Sequence, residues 1–237
     1  MRVGVACGSD DLNLLHFFKQ LKRQGLLDYL ELHVKPHITV GQIQKWRRSK
    51  LVDFLHPENG RRGNFVKRYL DIAVDTFMLS NVNGIVFDPG IKGDCFDLKS
   101  IGHNILDAHN LFPENMPYKT SLGDVCVGYM PSEMPEDFTF DISHAWIAAN
   151  QLGLDQRKLV RDFFDTGPSH FHITDCKGES DHLLLGTGEI DWEFVINLLP
   201  NVTNVTIETD NVAENRTENI VKDLNFFRRM RESHHSS

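Results

Sequence analysis

Apolar, β-branched runs recur along the chain at intervals that leave room for a helix between them. Eight can be read: "RVGVAC" (2–7), "YLELHV" (29–34), "LVDFLH" (51–56), "GIVFD" (84–88), "DVCVGYM" (124–130), "FTFDI" (138–142), "SHFHITD" (169–175) and "VTNVTIETD" (202–210). Segments with apolar residues at three-to-four spacing lie between them. "DDLNLLHFFKQLKRQG" (10–25) opens on a capping Asp and stops at a Gly. The same pattern continues in 64–81, 98–110, 145–153, 155–165, 191–199 and 214–230. No Pro-, Gly- or Ser-rich linker divides the chain. The reading is therefore one α/β domain over 1–232 with a tail at 233–237. Eightfold strand–helix alternation at this length predicts a single parallel (β/α)8 TIM barrel, with an open doubly wound sheet as the other possibility.

A barrel places its chemistry where the strands end. The predicted ends carry His56, Asp88, Asp141 (with His144 one turn on), His172 with Asp175, and Glu208 with Asp210; the second strand carries Glu31 and His33. One such residue alone reads as a hydrogen-bonded histidine or a helix cap, and Asp141 with His144 could be a cap and a first-turn residue. Imidazoles and carboxylates at so many ends together suit a divalent cation, Mn²⁺, Zn²⁺ or Mg²⁺. His170 and His172 are two apart and share a side of their strand, so the deeper one is expected in the core.

Composition narrows the classes. Hydrophobic residues at 41% and charged ones at 24% are ordinary for a soluble protein. No apolar run is long enough for a membrane span, and the N-terminus reads as a strand. Four scattered cysteines without CxxC spacing fit a reducing cytoplasm. A net charge of −8 disfavours nucleic acid as a partner. The short basic clusters at 45–50, 60–68 and 226–231 read as solvated faces.

The set "FDISHA", "FHITD", "DHLLLGTGEIDW" and "TIETD" resembles the xylose isomerase-like barrel superfamily. That group holds sugar and sugar-phosphate isomerases and epimerases and the endonuclease IV type of abasic-site endonuclease. The resemblance implies metal ligation by Asp141, His172 and Glu208. It implies catalytic roles for Glu208, His144 and His182, and substrate contact by His56, Asp88, Glu31 and Asp181. In the endonuclease branch, His144 and His182 match positions that hold a further metal. Both branches carry a glutamate at the end of strand five, where this reading finds Gly128 or Tyr129; Glu133 or Glu136 would be the nearest substitutes. The implied activity is a metal-dependent isomerase or epimerase of a sugar or sugar phosphate, working through an enediolate. The alternatives are a phosphodiesterase acting on abasic DNA and a non-catalytic sugar-binding descendant. An oligomer is compatible with each.

Overall fold

The structure, a computed structural model, describes residues 1–35, 38–57, 83–89, 111–119, 122–209 and 215–235. The elements run β1 (Arg2–Gly8), α1 (Leu15–Arg23), β2 (Tyr29–Val34), α2 (Val40–Ser49), β3 (Val52–Pro57), β4 (Gly84–Phe87) and β5 (Leu111–Pro113). They continue as β6 (Thr139–Asp141), α3 (Ile142–Leu152), α4 (Gln156–Phe164), β7 (His170–Ile173), β8 (Asp175–Lys177), β9 (Ser180–Leu183), α5 (Trp192–Leu198), β10 (Asn204–Ile207) and α6 (Arg216–His235). The helices expected at 64–81 and 98–110 lie outside the described residues, as do Cys95, Asp210 and the basic cluster at 60–68.

Eight strands form one parallel sheet in the order β5-β4-β3-β2-β1-β10-β7-β6. Its two ends meet. Glu114 bridges Thr139 in parallel, the Asn115 N–H donates to Thr139 O, and the Asn115 side chain exchanges two hydrogen bonds with the Asp141 backbone, at 2.6 and 2.9 Å. The sheet is thus a (β/α)8 barrel whose seam lies between β5 and β6.

That seam corrects the sequence reading of strand five. Residues 124–130 contribute only an isolated antiparallel bridge, Lys119 to Val125, and Gly128 is a turn residue at φ 83°. The strand is Leu111–Pro113, three residues long, paired with β4 in register Ile85–Leu111 to Phe87–Pro113. Its apolar signal is too short to stand out, while the run "VCVGYM" offers a longer and misleading one.

Local chemistry explains most element boundaries. Asp155 and Asp191 cap α4 and α5 by accepting from Lys158 N and Phe194 N, and Gly153 in the left-handed region ends α3. The expected cap at Asp10 does not form; Asp11 instead accepts from Gly8 N at 2.6 Å. Helix α2, not foreseen, starts with a Thr39–Gln42 capping box. Helix α6 continues through Ser233 to His235, into the segment read as a tail.

The main apolar core lies between sheet and helices, with Trp46, Phe138, Phe140, Phe163 and Phe171 fully buried. A separate cluster of Tyr29, Phe54 and Val86, with Phe112 against it, fills the barrel's interior. Gly4 makes room for it: a Cβ there would lie 2.2 Å from the Tyr29 ring. His170 belongs to this floor. Its ring stacks on Phe54 at 4.3 Å, and its nitrogens meet Thr206 Oγ1 at 2.9 Å and Thr139 Oγ1 at 3.2 Å. Burial pushes its pKa down to about 3, so it stays neutral.

Candidate metal centre

Above this floor, side chains from seven strands converge at the C-terminal ends of the barrel. His172 ends β7 and is fully buried. Its Nε2–H donates to Glu31 Oε2 at 3.1 Å, so Nδ1 is the nitrogen that can ligate once its proton is lost. Nδ1 lies 2.7 Å from Glu208 Oε2 and 3.2 Å from Glu114 Oε2, yet it has no hydrogen-bond partner. Glu114 is the strand-five glutamate that the sequence reading does not find. It follows directly on β5 and is 1% exposed.

Asp141 divides its two oxygens between two tasks. Oδ1 caps α3, accepting from His144 N at 2.9 Å and Ser143 Oγ at 2.7 Å. Oδ2 is buried and has no partner. The cap reading and the ligand reading therefore describe different atoms of one side chain. One ligand atom each from His56, Glu114, His172 and Glu208 lie within 4.8 Å of one another, as do those of Glu114, Asp141 and His144. Glu114 joins the two groups.

The electrostatics call for compensating positive charge. Burial alone would lower the pKa of His172, but the carboxylates of Glu31, Glu208 and Glu114 outweigh it and raise it well above the usual range. His144, facing Asp141, Asp181 and Glu114, and His56, facing Asp88 and Glu31, are raised in the same way against burial. Burial pushes Asp141 up, and Glu114 adds to that push. So many buried carboxylates are tolerable only if protons on histidines, or a metal ion, balance them. The orphaned atoms of Glu114, Asp141 and His172, and the grouping of Glu114 and His172 with His56 and Glu208 and of Glu114 with Asp141 and His144, are a mixed N/O donor set that fits a divalent ion.

A cavity of about 570 Å³ opens above these groups. His56, Asp88, His144, Asp181, His182 and Glu208 line it, together with Glu114, His33, Lys35 and Arg216. Asp141 and His172 lie beneath its floor. Glu31 does too, at 0% exposure, which corrects its expected role: it cannot touch a substrate and acts on the histidines instead. The β8–β9 hairpin carries Asp181 and His182 over the mouth. His182 adopts φ 54°, and its Nδ1 sits 3.1 Å from Asp181 Oδ1. Asp181 also faces His144 Nε2 at 3.6 Å. Burial opposes the charged form of His182, yet Asp181 lifts its pKa to about 9. His33, one turn of the pleat above Glu31, stands out on its strand in the sequence but carries no assigned role there; its Nε2 lies 3.0 Å from Glu208 Oε1.

Asp175, also noted at a strand end, has a different task. It is fully buried and accepts from Cys176 N, Gly186 N, Ile190 N and Trp192 Nε1. The Gly-x-Gly turn and the Ile-Asp-Trp helix start thus fold around this carboxylate.

Solved structures share this architecture. The TTHB071 protein from Thermus thermophilus, soaked with ZnCl2, superposes with a TM-score of 0.68 at 17% identity, over 98% of this chain and 99% of that one. Endonuclease IV from the same organism gives 0.66 at 16%, over 98% and 100%. D-psicose 3-epimerase from Clostridium cellulolyticum H10, solved with D-tagatose, gives 0.59 at 12%, over 98% and 99%. The likeness is one of fold: a single (β/α)8 barrel. No protein-family model matches the chain, and comparison with curated proteins finds no relative. Among the described residues, no helix is long and apolar enough to cross a membrane.

Proposed function

We propose that this xylose isomerase-like barrel is a metal-dependent isomerase or epimerase of a sugar or sugar phosphate. The observation that carries the reading is the pair Glu114 and Glu208, which approach His172 Nδ1 from different strands at 3.2 and 2.7 Å. Moving a proton on and off a carbon beside a carbonyl needs a base and an acid, and two carboxylates can share that work. A divalent ion held by Glu114, Asp141, His172 and Glu208 would polarise the carbonyl as a Lewis acid. His56, Asp88, Asp181 and His182 line the cavity and offer hydrogen bonds to hydroxyl groups. His144 donates Nδ1–H to Asn115 O at 2.9 Å, so its Nε2 faces Asp181 and is placed to exchange a proton with substrate. A cavity of about 570 Å³ suits a monosaccharide or its phosphate. Epimerases acting on ketoses share the fold, among them an L-ribulose 3-epimerase with a TM-score of 0.66.

The second reading is an endonuclease IV-type phosphodiesterase. The observation favouring it is the extra donor set His144, Asp181 and His182 at the lip, because an ion held there, beyond the inner carboxylates, would stabilise the leaving oxygen of a phosphoester. The net charge of −8 opposes it.

One experiment separates the two. The metal-loaded protein is incubated with a panel of ketoses and ketose phosphates in D₂O, and deuterium uptake beside the carbonyl is followed by NMR. Uptake that disappears in Glu114→Gln and in Glu208→Gln is the expected result. No uptake with any member of the panel, together with incision of an abasic duplex, would reverse the ranking.

A further inference from the structure

The two inner histidines are engaged in the same manner. His172 gives Nε2–H to Glu31 and keeps Nδ1 bare; His56 gives Nε2–H to Asp88 Oδ1 at 3.2 Å and also keeps Nδ1 bare. A histidine pinned by a carboxylate at one nitrogen and bare at the other is how proteins present an imidazole to a metal. The bare nitrogen of His172 faces the centre described above. That of His56 lies 3.3 Å from Glu31 Oε1 and 3.8 Å from Glu208 Oε1.

Two more unpartnered atoms meet it there. Glu31 Oε1 and His33 Nε2 are buried, have no hydrogen-bond partner, and lie 3.9 Å apart. One ligand atom each from Glu31, His33 and His56 fall within 4.8 Å of one another. Glu31 Oε2 accepts from His172 Nε2 at 3.1 Å and from Thr206 Oγ1 at 3.0 Å; Oε1 lies 2.9 Å from the same His172 nitrogen but accepts no hydrogen bond. Glu208 spans both places. Its Oε2 is at 2.7 Å from His172 Nδ1, while its Oε1 is at 3.0 Å from His33 Nε2.

We propose that His33, His56 and Glu31 hold a second divalent cation, bridged through Glu208 to the one held by Glu114, Asp141 and His172. Two imidazoles and a carboxylate favour a borderline ion such as Zn²⁺, Co²⁺ or Mn²⁺ over Mg²⁺. Two carboxylate-bridged ions lie roughly 3.5–4 Å apart in such centres. Each ion would take one of two neighbouring oxygens of one substrate, a carbonyl and the adjacent hydroxyl of a ketose. This deepens the isomerase reading and rests on its first ion. The residues involved, Glu31 and His33, alternate on β2 and so share its interior side.

The test is metal stoichiometry, read without turnover. The chain is stripped with chelator, titrated with Mn²⁺ or Zn²⁺, dialysed and analysed for bound metal. His33→Ala and His33→Gln should each bind one equivalent fewer than the wild type, and Asp141→Asn should lose a different one. With Mn²⁺, the second equivalent should weaken the six-line EPR signal of the wild type through coupling across Glu208, and His33→Gln should keep that signal. Thermal melts of the stripped variants establish that they fold. Folded His33 variants with wild-type stoichiometry and no change in coupling would overturn the second site. Loss of an equivalent in the His33 variants alone, with Asp141→Asn unchanged, would instead overturn the first site while supporting this one.

Discussion

Glu114 Oε2 lies 3.2 Å from His172 Nδ1, across the seam where β5 meets β6. The dipeptide Glu114–Asn115 thus does two things at once. Asn115 closes the barrel by bonding the Asp141 backbone, and Glu114 reaches the candidate metal position. Glu114→Gln should weaken metal binding by at least tenfold, because a neutral amide replaces a buried charge and about 1.4 kcal/mol is tenfold in affinity. The fold should survive, since Asn115 is untouched. Gly128→Glu should not improve binding. Gly128 sits at φ 83°, where a Cβ would come within 3.0 Å of Met134 Sδ, so that substitution should only lower stability. Metal titration and urea unfolding of both variants check this; tighter binding in Gly128→Glu would restore the discarded assignment.

The seam also marks where sequence reading worked and where it stopped. His56, Asp88, Asp141, His172 and Glu208 each follow an apolar run, so the period-two pattern exposed them as strand ends. Strand five did not show because closure takes only three paired residues there, one of them Pro113. Depth was illegible for another reason. Glu31 and His33 share an interior side, but only the pairing of Glu31 with Phe54 and of His33 with His56 places one at the buried level and the other at the cavity. Register between strands is a tertiary property, and no single strand encodes it.

Metal affinity should rise steeply with pH. Without metal, His172, His56 and His144 have pKa values well above the ordinary range, because surrounding carboxylates overcome the effect of burial. They are therefore protonated near neutrality, and a histidine must lose its proton to ligate. Each proton released makes affinity grow about tenfold per pH unit below that pKa. Calorimetry at pH 7 in buffers of different ionisation heat should show at least one proton released per ion. Identical heats in all buffers would mean the histidines are already neutral.

The loop that carries His182 depends on Asp175. Gly188 packs so closely that a Cβ would lie 2.2 Å from Asp175 Oδ1 and from Cys176 O. Gly188→Ala must displace the carboxylate or the backbone. Asp175→Ala strands buried donors, including Trp192 Nε1. Each should cost on the order of 2–4 kcal/mol in urea unfolding, and hydrogen exchange should quicken across 175–192. A change confined to helix α5 would argue against Asp175 as the common anchor.

Asp223 should give stability a pH dependence of its own. It projects from α6 and is 1% exposed, accepting from Leu185 N at 2.9 Å and Thr209 Oγ1 at 2.5 Å. Burial raises its pKa from 3.8 to about 6, against the pull of those two hydrogen bonds, and the charge of Asp175 adds to the rise. Between those values the folded protein holds a proton that the unfolded chain has released. The contribution is therefore full below about pH 4 and is lost as pH climbs through about 6, at a rate set by the proton difference. Two pKa units correspond to roughly 3 kcal/mol at most. Asp223→Asn is neutral throughout and keeps an oxygen for Leu185 N, so it should lack this slope. Urea unfolding with chelator present, compared between wild type and variant from pH 4 to 7, isolates it: the variant's relative stability should grow with pH and level off above about 6. Parallel curves would mean that Asp223 is ionised in the folded protein throughout, and that its two hydrogen bonds outweigh its burial.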